Sequence, residues 1–105
     1  MAQFDAYDNP SAGQREAFPY FVVLQSDQLN HYSTRLVMPL ARAPLPVPDL
    51  PRRLSQPVTL LGERLFPVPH LVAALPSKLL KRPVGSLRAD AVALVDALDA
   101  VVSGV

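Results

Sequence analysis

The side chains able to do acid–base, nucleophilic or metal chemistry in this chain are few and scattered. Cysteine is absent, which excludes a thiolate nucleophile, thiolate zinc sites and a disulfide scaffold. The two histidines, His31 and His70, lie far apart and neither has metal-ligand spacing around it; surface or hydrogen-bonded structural roles are expected for both. Ser26, Asp27 and His31 are the residue types of a hydrolytic triad. Neighbours in one turn cannot take up the nucleophile, base and orienter positions, so that reading fails on geometry. Asp96 and Asp99 are three apart and can share a helix face with no third ligand nearby; with Asp90 they read as solvated carboxylates and not as a metal pair. Two basic groups, Arg52-Arg53 and Lys78, Lys81 and Arg82, read as solvated surface or as docking ground for an acidic disordered segment. A net charge of +1 supplies no strongly basic face for direct readout of DNA. No catalytic residue, cofactor or metal ligand is expected, and the chemistry left is that of binding.

The elements that must position a binding surface are read from the apolar pattern. Residues 3–7 are loosely strand-like, and Asn9-Pro10-Ser11-Ala12-Gly13 is a turn cluster. Phe18 to Gln25 (FPYFVVLQ) is the clearest strand, aromatic and β-branched, with Pro19 expected at its start or on an edge. These two runs are expected to pair as a hairpin. Ser26-Asp27-Gln28-Leu29-Asn30 breaks the run with turn-formers. Arg35 to Leu40 (RLVMPL) reads as a third strand with Leu36, Met38 and Leu40 on one face and Val37 on the other, Pro39 marking a bulge or an edge. Prolines 39, 44, 46, 48, 51 and 57 predict an extended, polyproline-like connector. Val58–Leu61 and Arg64–Val68 flank Gly62-Glu63 as a hairpin. Leu71 to Leu75 is a short apolar stretch closed by Pro76.

From Ser86 the period changes. Leu87, Ala91, Leu94, Val95, Leu98, Val101 and Val102 follow helical spacing, with Ser86 as N-cap. Arg88 near the start and Asp96 and Asp99 near the end oppose the helix dipole, at a few tenths of a kcal/mol each. Burial of a Leu or Val contributes roughly 1.5–3 kcal/mol, so packing makes this helix. The acidic face is then a candidate binding face. The whole reads as one α+β domain over residues 1–105, an antiparallel sheet curled into a partial barrel with a terminal helix. Length permits one domain. The chain is 50% hydrophobic with mean hydropathy +0.19, too apolar for disorder, and this suggests apolar surface left for a partner. The opening Met-Ala-Gln-Phe-Asp has no signal-peptide pattern and no run reaches the ~18 apolar residues of a membrane helix, so a cytoplasmic protein is expected.

Several landmarks fall in an order that resembles the CcdB family of toxins. Gln3-Phe4 opens the chain, Leu24-Gln25-Ser26-Asp27 follows a strand, Leu36-Val37-Met38-Pro39-Leu40-Ala41 comes next, then Pro57-Val58, Gly62-Glu63 and a helix ending Ser103-Gly104-Val105. The family pattern runs as an initial Gln-Phe, a Val-Gln-Ser-Asp turn, a Val-Ile-Pro-Leu-Ala strand and a C-terminal Trp-Gly-Ile. The resemblance implies an SH3-like barrel, the fold shared with MazF ribonuclease toxins, with a C-terminal helix and a homodimer. It implies binding to the A subunit of DNA gyrase and trapping of the cleaved DNA complex. It further implies neutralisation by a CcdA-like antitoxin and repression of the operator by the two together. Carried residue by residue, the gyrase-contacting surface is Ser26, Gln28 and Leu29 in the turn and Asp99, Val102, Ser103, Gly104 and Val105 at the end. The antitoxin-contacting residues are not identified. Toxic members carry Trp where Ser103 stands, and isoleucines where Gln28 and Leu29 stand. A non-toxic homologue that keeps dimerisation and antitoxin binding is the alternative. A ribonuclease is a third reading, against which no His or Glu stands in a clear pairing with Arg.

Overall fold

The computed structural model describes residues 2–43 and 56–103. Strand β1 (Asp5–Asp8) pairs antiparallel with β2 (Tyr20–Val23), Ala6 opposite Val22. This is the hairpin expected from the two apolar runs, with Pro19 just before the strand. β2 pairs with β3 (Thr34–Ala41), the longest strand. β4 (Val58–Leu60) and β5 (Glu63–Pro67) form the second hairpin, and β5 joins the end of β3 through Leu40 and Ala41. β6 (Ala73–Pro76) pairs with the beginning of β3, and β7 (Pro83–Ser86) pairs with β1. The strand order is β4-β5-β3-β2-β1-β7, with β6 beside β3. Helix α1 (Ala91–Ser103) closes the chain's described part. This is the antiparallel barrel-like sheet with a C-terminal helix that the sequence predicts.

Period-two alternation sorts the side chains onto two sides of the sheet. Ala6, Val22, Met38 and Leu40 point inward and pack with Phe4, Leu24, Val58, Leu60, Leu65, Leu87 and Leu94. Tyr7, Val23 and Val37 point to the other side and pack with Leu80, Phe21 and Leu75. The split of Met38 and Leu40 from Val37 is as the spacing predicts. The barrel nearly closes where Gly85 of β7 lies under Leu60 of β4. A Cβ at Gly85 would come within 2.7 Å of the Leu60 Cδ1, so only glycine leaves this approach unobstructed.

Four local expectations are corrected. Pro39 sits at neither a bulge nor an edge but within the shared strand β3, opposite Phe21. Its carbonyl accepts the Val68 N–H at 2.9 Å, so its backbone groups face away from β2. The missing donor falls where the neighbouring strand changes from β6, paired through Val37, to β5, paired from Leu40. The hairpin turn is Leu61-Gly62 and not Gly62-Glu63, because Leu60 pairs with Glu63. Both turn residues have positive φ, +54° and +77°, the requirement of a two-residue type I′ turn. Ser86 ends β7 and does not cap the long helix; its Oγ accepts the Arg88 N–H at 3.3 Å, and a 3-10 turn over Arg88–Asp90 intervenes before α1. Leu87 is buried ahead of that turn; the buried face of the helix is Leu94, Ala97 and Ala100, with Ala91 and Leu98 half-buried, while Val95, Val101 and Val102 are exposed. The helix packs against the Pro69–Leu71 turn, and its covered face is lined by small alanines while the valines stand outward.

β6 and β7 were legible only as short apolar or proline-bounded stretches, and both are strands because β3 and β1 supply partners. Most of the expected proline connector, residues 44–55 including Arg52-Arg53, lies outside the described residues.

Candidate functional site

The turn over Ser26–Asn30 is a single 3-10 turn (Asp27–Leu29) built by its own side chains. Ser26 Oγ accepts the Gln28 N–H at 3.3 Å as the N-cap of this turn. Gln25 bridges the turn to β3: its amide donates to the carbonyls of Leu29 and Thr34 and accepts the Leu36 N–H. Arg35 closes the loop from below. It is 6% exposed, and its guanidinium donates to the carbonyls of Asn30 (2.7 Å), Thr34 (2.8 Å) and Tyr32. A buried cation held by carbonyl oxygens keeps hydrogen bonds that water otherwise provides. Gln28 and Leu29, so fixed from behind, are exposed, and so is Ser26.

Gln3 ties this turn to the rest of the barrel. Its main-chain N–H donates to the Asp27 carboxylate at 2.6 Å, and its side-chain amide donates to the Leu24 carbonyl at 2.9 Å. Its carbonyl accepts from Arg88 Nη2 at 3.0 Å. The Arg88 guanidinium also lies over the Phe4 ring, 5.8 Å from its centroid.

The second predicted group lies on α1. Asp99 and Val102 are on its exposed side; Ser103 is its last residue, and Gly104 and Val105 lie outside the described residues. Val102 is 78% exposed and Val92 75%. With Val95 and Asp96 these side chains make an outward stripe of valines edged by carboxylates. At ~1.5 Å per residue, Val102 is about 20 Å along the chain from Arg88, so the link from the Ser26 turn runs to the 3-10 turn ahead of α1 and not to the helix tip. Gln25, Arg35 and Arg88, which hold the turn, were not marked by spacing; the alternation that puts Arg35 on the Val37 side of β3 was the available signal.

The histidines do not join these groups. His31 is exposed with its ring 4.2 Å from that of Tyr32, and His70 is exposed in the Pro69–Leu71 turn. No hydrogen bond among the described residues connects Ser26 Oγ, Asp27 and His31, and no cluster of three His, Asp or Glu side chains forms there. Among the described residues, Tyr7 is the one side chain with a resolved pKa displacement. Burial, helped by the Asp5 carboxylate and opposed by Arg35, holds its phenol above the ordinary tyrosine value. Lys78, Lys81 and Arg82 are exposed near β6 and β7. No helix among the described residues is long and apolar enough to cross a membrane.

A comparison with curated protein sequences gives no match. The family model described as CcdB protein matches residues 3–104, essentially the whole chain. Taken with the nearly closed antiparallel sheet and its terminal helix, the match shows that this chain belongs to the CcdB family, the toxin side of toxin–antitoxin systems.

Proposed function

We propose that this protein is a cytoplasmic toxin that acts by binding the A subunit of DNA gyrase and trapping the enzyme on cleaved DNA. The observation that carries this reading is the outward valine stripe of α1, led by Val102, on a chain of this family. Exposed apolar side chains on a rigid helix are the kind of surface that a macromolecular partner covers. The contacting residues are Ser26, Gln28 and Leu29 in the turn and Asp99, Val102, Ser103, Gly104 and Val105 at the helix end. The working unit is a homodimer. A CcdA-like antitoxin neutralises it, and the two together, not the toxin alone, occupy operator DNA.

A second reading rests on Ser103. Toxic relatives carry Trp at this point, and a Trp anchor is a frequent hot spot whose loss costs about 2 kcal/mol or more, roughly thirtyfold in affinity. On that reading the chain keeps dimerisation and antitoxin binding without poisoning gyrase. Expression without antitoxin in a gyrase-sensitive host separates the two. Growth arrest with gyrase-linked DNA breaks supports the first; normal growth at high expression removes it for that host. Capture of gyrase A that appears only with Ser103→Trp identifies the missing anchor.

A further inference from the structure

Gln3 and the 3-10 turn that leads into α1 meet at one place, 85 positions apart along the chain. Phe4 has φ +70°, a left-handed conformation that swings Gln3 out of line with β1. In this position Phe4 bonds on both sides: its N–H donates to Val23 at 2.7 Å, and its carbonyl accepts from Leu87 at 2.8 Å. Gln3 is then free of the sheet ladder. Its N–H faces Asp27 and its carbonyl faces Arg88, so a single peptide segment carries a carboxylate on one side and a guanidinium on the other.

We propose that Arg88 and the main chain of Gln3 are positioning residues that clamp the Ser26–Leu29 turn to the 3-10 turn from which α1 starts. This rests on the reading that the turn is part of the binding surface. Both outer bonds of the clamp are charge-assisted, the stronger class of hydrogen bond. Gln25 and Arg35 hold the turn's carbonyls from behind. Its N–H groups are held by the 3-10 bonds of Leu29 and Asn30, at 2.9 and 3.1 Å, and by the longer bond from Gln28 to Ser26, at 3.3 Å. The Asp27 carboxylate that starts the turn is fixed by Gln3. Arg88 stacks on Phe4 and is exposed, so its removal leaves the core intact. It acts on the turn only through Gln3 and touches no partner itself.

The test is amide hydrogen exchange on the full chain with Arg88→Met, which keeps an apolar stem over Phe4, and Arg88→Lys, which keeps a cationic donor. Arg88→Met speeds exchange at Gln28, Leu29 and Asn30 by about tenfold, with the β2–β3 ladder and the thermal midpoint unchanged. Arg88→Lys restores at least part of the protection. Unchanged exchange at the three turn amides, or acceleration spread evenly over the barrel, overturns the clamp. Capture of the gyrase A subunit is measured on the same variants, and weaker capture by Arg88→Met with recovery in Arg88→Lys supports it. If the unaltered chain captures no gyrase A, the functional reading is overturned alone, and the exchange result still decides the clamp.

Discussion

Gly85 and Leu60 show how much one missing methyl group decides at the barrel's seam. A Cβ at position 85 would lie 2.7 Å from the Leu60 Cδ1 and force that methyl group to move, and Leu60 is itself buried in the core. Gly85→Ala is therefore expected to lower stability by about 1–3 kcal/mol, read as a lower denaturant midpoint. Truncating Leu60 removes the obstacle, so the Gly85→Ala, Leu60→Ala double variant costs less than the sum of the single ones. Additive costs would place the strain elsewhere. Tyr7 carries a second prediction. Its phenol titrates above its ordinary value in the folded protein because burial disfavours the phenolate. The folded state holds its proton after the unfolded state has lost it. The contribution is thus full below about pH 10, the unfolded tyrosine value, and is lost as pH rises from there through the folded value. Tyr7→Phe flattens this fall in urea melts across the alkaline range; an identical slope in the variant counts against Tyr7 as its source.

At the scale of elements, the strands are short and their free edges carry prolines. Pro57 precedes β4, Pro76 ends β6 and Pro83 opens β7. A proline withholds a backbone donor, so these edges resist strand-to-strand pairing with another chain. Association by this molecule is left to side-chain surfaces such as the valine face of α1. The β4–β5 hairpin shows an element held against local preference. Leu61 is 65% exposed and sits at φ +54°, a conformation that disfavours an L-residue by roughly 1–2 kcal/mol. Leu61→Asn relieves part of that cost and completes an Asn-Gly turn, so a gain of about 0.5–1 kcal/mol and a rise of a few degrees in Tm are expected. A fall in Tm on this change would mean that the Leu61 side chain has a partner of its own.

At the scale of the whole molecule, the proposed homodimer predicts a sedimenting mass of twice 11.4 kDa at micromolar concentration, with a single 11.4 kDa species excluding it. The period-two runs of β1, β2 and β3 and the helical repeat from Leu87 were legible in the residues alone, because each has enough apolar positions to state its own period. The ordered landmarks, Gln3-Phe4, Gln25-Ser26-Asp27 and Pro39-Leu40-Ala41, carried the family across the same stretches. Ala73–Pro76 and Pro83–Ser86 state no period; two alanines, a glycine and prolines become strands only when β3 and β1 offer their free backbone groups. The helix repeat likewise named its apolar positions without saying which would be covered. Alanines at 97 and 100 face inward and valines at 95 and 102 face out, an orientation set by the docking of Leu94 into the barrel core. Local spacing sets which conformation a segment favours, but contacts spanning most of the chain, such as that from Arg88 to Gln3, exist only once folding has brought distant segments together.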